Sequence, residues 1–241
     1  MNGAAFTQII NKIRLKADVS GHLSGMGVFK REFRASLLLF FLMVTVPTWS
    51  NILDLSDKIA LWAETEYGRE ARDRVLALRE LIATSQPLPE TDRLTRVNAF
   101  FNRLKFEDDM AHWEQEDYWA TPMETLASGG GDCEDMAIAK YFALTAMGIG
   151  EDKLQITYVK ALNLDQAHMV LTYFSEPDAT PLVLDNLDPL VKSATDRKDL
   201  LPIYGFNGTG LWLARERQAG KLVGRAGDLN LWRGLLNRMG R

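Results

Sequence analysis

The sequence is poor in cysteine, with Cys133 alone among 241 residues. No disulfide can form within the chain, so disulfides do not hold this fold. A lone cysteine is either a buried, inert thiol or a reactive one. Histidine is scarce too, with three in the chain, so few side chains are candidates for a general base.

The sequence also lacks any block of positive charge. The formal net charge is -4, and the 28 basic residues are scattered along the chain. Nucleic-acid binding needs a block or stripe of lysine and arginine, so we expect no nucleic-acid partner. The apolar and charged fractions, 46% and 25%, are those of an ordinary globular protein. The length suits one substantial domain and is short for two.

The apolar run at residues 35–46 is too short for a comfortable membrane span of ~20 residues. It has the length of a signal-peptide core, and Lys30, Arg31 and Arg34 precede it as the positive flank. We therefore predict that residues 1–50 are a leader for export and that residues 51–241 form a single domain. A retained N-terminal anchor and a buried core helix are the alternatives.

The start and end of this leader are weakly marked. Thr48 and Ser50 offer a small-x-small cleavage site, which predicts a mature chain that begins near Asn51. Met26 gives a more usual distance between the start and the apolar run, so we take it as the candidate for the true start.

The order of secondary-structure patterns predicts an α+β fold. Residues 56–106 have helical periodicity interrupted at Pro87 and Pro89, residues 107–131 read as a loop, and a helix starts at Asp132 or Cys133 and runs to about Met147. Strand-like runs follow at 154–162, 169–174, 182–185, 201–206 and 211–214. The tail from Gly220 is polar, with a weakly amphipathic end. Helices followed by antiparallel strands indicate α+β.

Cys133 stands where a cysteine can be activated. Three glycines and Asp132 precede it, and the predicted helix begins with it. A helix N-terminus presents unpaired N–H groups and a partial positive charge, which stabilise a thiolate and can receive an oxyanion. We therefore take Cys133 as the candidate nucleophile and its backbone N–H as one oxyanion donor. The alternative is a structural cysteine on a helix.

His168 and Asp185 are the candidate partners of this cysteine. His168 opens one predicted strand and Asp185 closes a following one. If the two strands pair antiparallel, the start of the first lies beside the end of the second. Cys133 would then be the nucleophile, His168 the base and Asp185 the residue that orients the base. Taken singly, each of the last two is more often structural.

Acidic residues crowd the nucleophile. Asp132, Glu134 and Asp135 flank it directly, and Asp117 in the preceding acidic loop is a fourth candidate ligand. Carboxylates this close raise the pKa of a thiol, and a hard cation such as calcium would offset them. Equally, Asp132 can cap the helix while the other acids complement its dipole. The residues alone leave these two interpretations open.

Four segments resemble the bacterial transglutaminase-like cysteine proteinases: Asp-Tyr-Trp-Ala-Thr-Pro, Gly-Gly-Asp-Cys-Glu-Asp, Ala-His-Met-Val-Leu and Leu-Asp-Asn-Leu. The resemblance spans about residues 49–213 and implies a papain/transglutaminase-like fold. It implies a calcium-dependent periplasmic peptidase that cuts a large surface adhesin near its N-terminus and so disperses biofilm. It also implies inhibition by the periplasmic domain of an inner-membrane cyclic-di-GMP receptor.

Two other functions remain open at this stage. The same three residues can transfer an acyl group to an amine, as a transglutaminase does. A calcium-dependent interaction module on an inactive peptidase fold is the second, and loss of a catalytic residue would be its mark. The second oxyanion donor is open as well, and Trp119 is our candidate.

Overall fold

The computed structural model describes residues 53–215 and 218–240. The predicted leader, its cleavage site and the apolar run at 35–46 all lie outside these residues. Within the described ranges, none of the helices has both the length and the apolar character needed to cross a membrane.

The first part of the described chain is helical up to Phe101. It consists of α1 (Asp57–Tyr67), α2 (Arg69–Ser85) and α3 (Glu90–Phe101). Ser56 caps α1 by accepting a hydrogen bond from the N–H of Ile59 at 3.5 Å. The break between α2 and α3 falls at Pro87 and Pro89, as predicted, because proline disfavours helical continuation of the residue before it.

Residues 107–131, predicted to be a loop, contain regular structure, so that prediction was wrong. They hold α4 (Asp109–His112), α5 (Pro122–Ser128) and β2 (Gly130–Gly131), and β2 pairs in parallel with β1 (Lys105–Phe106). A capping box starts α5: Glu124 N–H donates to Thr121 Oγ1 at 3.2 Å, and Thr121 N–H donates to Glu124 Oε2 at 2.7 Å. Thr-Pro-x-Glu is a helix start signal, and proline at the first helical position belongs to it.

The helix α6 (Cys133–Ala146) and a seven-stranded sheet form the second part of the described chain. The strands are β3 (Leu154–Ala161), β4 (Gln166–Tyr173), β5 (Leu182–Leu184), β6 (Lys192–Ser193), β7 (Leu200–Phe206), β8 (Leu211–Arg215) and β9 (Gln218–Gly224). Their order is β6-β5-β4-β3-β7-β8-β9, and all neighbours are antiparallel. The α+β prediction is confirmed.

The C-terminal segment is part of the fold and not the polar tail that its sequence suggests. It supplies β9 and then α7 (Asn230–Arg238), whose Trp232 and Leu235 are buried. The Trp232 ring stacks on Phe142 of α6, with centroids 5.7 Å apart. The apolar face of α7 is short, and sequence periodicity does not reveal the surface of α6 against which it is buried.

The main core lies between α6 and the sheet. Alternate residues of β3 and β4, such as Ile156 and Leu171, join α6 side chains in one large cluster. The residues between them, such as Val159 and Val170, belong to a second, smaller cluster. Because α6 is buried along most of its length, the packing fixes where its N-terminal residue, Cys133, lies against the sheet.

Candidate active site

Asp132 and two glycines deliver Cys133 to the first turn of α6. Asp132 Oδ1 accepts hydrogen bonds from the N–H groups of Glu134 and Asp135 at 3.2 and 3.5 Å. Gly129 ends α5 with a φ of +84°, and Gly131 has a φ of +152°. A Cβ on Gly131 would lie 2.5 Å from Asp135 Oδ2. The glycines therefore permit a close approach to the chain's own carboxylate, in addition to the substrate approach that the sequence suggested.

The thiol of Cys133 lies between a carboxylate and the sheet. Its Sγ donates to Glu134 Oε2 at 2.9 Å. Burial raises the pKa of Cys133 well above its usual value, the charges of Glu134 and Asp132 raise it further, and a hydrogen bond from the N–H of Met169 opposes them. That last contact places the sulfur beside the residue that follows His168 in β4.

The pairing of β4 with β5 explains why the site forms at this edge. The two strands pair only from Leu171 to Tyr173, with Leu171 opposite Leu184. Beyond that point β5 has ended, so it does not cover the edge of β4 that carries the Met169 N–H. The start of β4, the end of β5 and the N-terminus of α6 therefore meet there.

His168 and Asp185 form the predicted pair. His168 Nε2 and Asp185 Oδ1 are 2.7 Å apart, and both side chains are almost fully buried. Asp185 is ionised, so Nε2 donates and Nδ1 is the ring nitrogen left to exchange a proton with a thiol. The hairpin that the sequence predicted therefore brings the candidate base, His168, and the candidate orienting carboxylate, Asp185, together.

Asp185 is held by more than His168. Burial raises its pKa, but the hydrogen bond and charge of His168, the N–H of Leu187 and the Arg197 guanidinium together lower the pKa to about 2. Arg197 Nη2 donates to Oδ2 at 2.6 Å, and the Leu187 N–H donates to Oδ1 at 3.0 Å. Asn102 Nδ2 donates to the backbone carbonyl of Asp185 at 2.7 Å.

Sequence reasoning did not identify Arg197 or Asn102. Arg197 lies in the run Asp-Arg-Lys-Asp, which is typical of a solvated turn. Asn102 directly follows α3 and looks like an ordinary helix end. No local signal marks either residue, because each contacts Asp185, which is 83 residues away from Asn102 and 12 residues away from Arg197 along the chain.

Among the described residues, five carboxylates gather around the start of α6. Oxygens of Asp109, Asp117 and Glu134 lie within 4.8 Å of one another, and so do those of Asp109, Asp132 and Asp135. Burial is the main cause that raises the pKa of Asp109 to about 6, Asp135 to about 8 and Asp132 to about 10, and that of Asp117 rises for the same reason. The four predicted ligands are thus together, and Asp109, which the sequence analysis did not name, lies among them.

The donor set fits a hard cation such as calcium. Asp109 Oδ1 and Asp117 Oδ1 are buried and have no hydrogen-bond partner within the described residues. Asp135 differs, because its two oxygens accept from Trp113 Nε1 at 3.0 Å and from the N–H of Ala120 at 2.7 Å. Asp135 therefore ties the acidic loop to α6, whereas Asp109 and Asp117 have coordination capacity left over.

Trp119, our candidate for the second oxyanion donor, lies against the acidic cluster. Its ring stacks on Phe206 with centroids 5.4 Å apart, and Arg238 donates to its carbonyl oxygen. Burial and the charge of Glu134 raise the pKa of Asp117, and the nearby Trp119 side chain opposes them, although Trp119 Nε1 is buried and has no hydrogen-bond partner within the described residues. The indole is thus beside a candidate metal ligand, and its role as an oxyanion donor stays a prediction.

A cleft of about 530 Å³, partly open to solvent, lies elsewhere on the sheet. Its apolar lining includes Val159, Val170, Val183 and Leu200, and Arg197 contributes a polar edge. Cys133 is not part of this lining. We therefore do not take the cleft as the place where a bond is cut.

A cysteine at a helix N-terminus and a histidine–aspartate pair on adjacent strands define a cysteine peptidase of papain-type chemistry. Residues 79–199 match the model of the bacterial transglutaminase-like cysteine proteinases, BTLCP, and the chain belongs to this family. The predictions of family, of a transglutaminase-like fold and of a cysteine peptidase are confirmed. The interpretation as an inactive interaction module is accordingly disfavoured.

Three solved structures of LapG from Legionella pneumophila are similar to this chain. The EGTA-treated form is 43% identical with a TM-score of 0.68, and a further form is 42% identical with a TM-score of 0.67; each match covers 76% of this chain and 96% of that one. The calcium-bound form is 41% identical with a TM-score of 0.66, and the match covers 76% and 98%. No curated protein matches the chain.

Proposed function

We propose that this chain is a calcium-dependent endopeptidase that cleaves a large surface adhesin near its N-terminus and thereby controls biofilm release. The observation that carries the proposal is the thiol of Cys133, which is set between the Met169 N–H of β4 and a buried cluster of acidic side chains. The family supports the peptidase chemistry, and the calcium-bound LapG structure supports the cation.

The chain's own residues account for peptide hydrolysis. The Cys133 thiol, which donates to Glu134 before the reaction, gives its proton to His168 Nδ1, and the sulfur attacks the peptide carbonyl while the Cys133 N–H at the helix N-terminus binds the oxyanion. Collapse breaks the C–N bond, and the leaving amine takes the proton from His168. Water, deprotonated by His168, then hydrolyses the thioester and restores the thiol. Asp185 keeps the imidazole in the required tautomer throughout.

Acyl transfer to an amine uses the same first half of this reaction. The two functions differ only in what accepts the acyl group. Incubation with substrate and a primary amine distinguishes them by product mass, because hydrolysis leaves a free carboxylate and transfer leaves an amide. We expect the carboxylate, and an amide product would instead favour a transglutaminase.

Asp109, Asp117, Asp132 and Glu134 are the residues that would hold calcium. A bound calcium would supply positive charge to a cluster whose buried carboxylates otherwise repel one another. Glu134 links this cluster to the thiol, because its Oε2 accepts the hydrogen of Cys133. The ordering of the acidic segment that carries Asp109 and Asp117 is therefore coupled to the protonation of Cys133 through the side chain of Glu134.

Chelation with EGTA is expected to suppress cleavage, and added Ca²⁺ is expected to restore it. Mg²⁺ should restore it poorly, because it demands tight octahedral geometry and loses water reluctantly. Asp109→Asn keeps an acceptor for the Tyr118 N–H but removes one charge, so we expect calcium affinity to fall by more than about 10-fold. Titration calorimetry measures the affinity, and Asp92→Asn, at an exposed position, is the matched control. Cleavage and thiol alkylation that are both indifferent to EGTA would mean that the acids only stabilise a helix start.

The proposed location is the periplasm, reached through the N-terminal leader. The support is the basic flank and the short apolar run at residues 35–46. The intact mass of protein isolated from the cell envelope tests this. A mature chain that begins near Asn51 supports cleavage of the leader, whereas a mass that includes the apolar run supports a retained anchor.

The proposed partners are the adhesin as substrate and the periplasmic domain of an inner-membrane cyclic-di-GMP receptor as inhibitor. The purified protein should cut an N-terminal fragment of a large surface adhesin from the same cells, and the Cys133→Ala variant should not. Addition of the receptor domain should suppress cleavage. An uncut fragment in the presence of calcium counts against the substrate, and a rate that is unchanged by the receptor domain counts against the inhibitor.

A further inference from the structure

Arg197 is a buried arginine with two carboxylate partners. Its Nη2 donates to Asp185 Oδ2 at 2.6 Å and to Asp199 Oδ2 at 2.8 Å, and its Nε donates to Asp199 Oδ1 at 3.0 Å. Only 4% of the residue is exposed. Asp199 therefore holds the guanidinium plane from one side, which leaves Nη2 aimed at Asp185.

The contact between Arg197 and Asp185 determines which oxygen of Asp185 faces His168. Oδ2 is taken by Arg197, whereas Oδ1 accepts from His168 Nε2 at 2.7 Å and from the N–H of Leu187 at 3.0 Å. A carboxylate held through both oxygens cannot rotate about its terminal bond without breaking a charge-assisted hydrogen bond. Arg197 on Oδ2 and the Leu187 N–H on Oδ1 therefore together fix the direction of the lone pair offered to His168.

Asp185 and the turn that carries Arg197 and Asp199 are each hydrogen-bonded to another part of the fold. Asn102, at the end of α3, donates to the Asp185 carbonyl at 2.7 Å. The Leu162 N–H donates to the Asp199 carbonyl at 2.7 Å, which ties the Arg197 turn to the β3–β4 connection. Asp185 and Arg197 are thus each held from a separate element, and their contact does not depend on one mobile side chain.

We propose that Arg197 is a positioning residue for peptide hydrolysis, which acts through Asp185 to fix the orientation and tautomer of His168. The proposal rests on the triad of the proposed function. Arg197 need not touch the substrate, so its loss should lower kcat and leave KM nearly unchanged. Misplacement of a catalytic group by about 1 Å can cost about 100-fold in rate, which sets the size of the effect.

The experiment compares Arg197→Met, Arg197→Lys and the exposed control Arg79→Ala, each at saturating calcium. Arg197→Met is expected to lower kcat by about 10- to 100-fold with KM within about 2-fold of wild type. Arg197→Lys keeps a charge but not the planar fork, so its kcat should fall between those of Arg197→Met and wild type. Arg79 pairs with Asp57 on the exposed surface of the helices, and its loss should leave both constants unchanged.

A second readout needs no substrate. The proton of the His168 Nε2–H···Oδ1 bond should give a far-downfield signal in the proton NMR spectrum of the wild type, and Arg197→Met should shift it or lose it to exchange with water. Circular dichroism establishes that each variant is folded. The proposal is overturned by folded Arg197→Met with wild-type kcat and an unshifted signal. If the wild type cuts no adhesin but Arg197→Met still loses the signal, the positioning role is supported and the proposed substrate is refuted.

Discussion

Replacement of Cys133 by alanine is expected to remove detectable cleavage while the protein stays folded. Loss of a catalytic nucleophile costs on the order of 10⁶-fold in kcat in serine peptidases, and we expect a comparable loss. The fold should survive because Asp132, and not Cys133, caps α6 through its side chain. His168→Ala should have a similar effect, since the thiol then has no base.

The measurement for Cys133→Ala has a built-in control. Cys133 is the chain's only cysteine, so a thiol reagent that labels the wild type labels this position alone. Labelling and cleavage should therefore disappear together in the variant, while the far-ultraviolet circular dichroism stays that of the wild type. Cleavage retained by the purified variant would exclude Cys133 as the nucleophile.

Asp185→Asn is expected to lower kcat by about 10⁴-fold, the size of the corresponding effect in serine peptidases. Arg197 determines which way the amide of the introduced asparagine should point. Its charged Nη2 makes a stronger hydrogen bond than the neutral Leu187 N–H does, so the amide oxygen of the introduced asparagine should face Arg197 and its NH₂ group should face His168. The NH₂ donor then favours the tautomer that carries the proton on Nδ1, and this tautomer cannot accept the proton of the thiol.

The tautomer argument is checked by the NMR signals of the His168 ring nitrogens, which distinguish the two tautomers directly. Asp188→Asn is the matched control, because the Asp188 side chain pairs with Lys192 and accepts from the N–H of Leu190, both close by in sequence. A variant Asp185→Asn with an unchanged tautomer and near wild-type kcat would remove Asp185 from the triad.

Part of the candidate calcium site could be predicted from neighbouring residues in the sequence, and part of it required the tertiary structure. Asp132, Glu134 and Asp135 adjoin Cys133 in sequence, so their clustering is visible along the chain. Asp109 lies more than 20 residues before them, at the start of α4, and only tertiary packing brings it to Glu134. In the same packing both carboxylate oxygens of Asp135 accept hydrogen bonds from the chain, which distinguishes Asp135 from Asp109 and Asp117 as a candidate ligand.

The helix that carries Cys133 was predictable because its signals are local. Glycines before an N-cap aspartate and an apolar stretch after it suffice to predict where α6 starts and ends. Residues 107–131 were predicted to be a loop, and that prediction neglected the helix start at Thr121 and Pro122. Proline at the first helical position after a threonine starts a helix, and here it starts α5.

The sequence by itself indicated Cys133 as the candidate nucleophile, the pairing of His168 with Asp185, the order of helices and strands, and the family. Each depends on neighbours along the chain or on one hairpin, so periodicity and short motifs carry the information. Only the tertiary structure showed where Asp109, Arg197, Asn102 and the C-terminal helix α7 lie relative to the site. Their contacts join separate segments of the chain, and the burial that shifts the pKa values of the site exists only once those segments have packed.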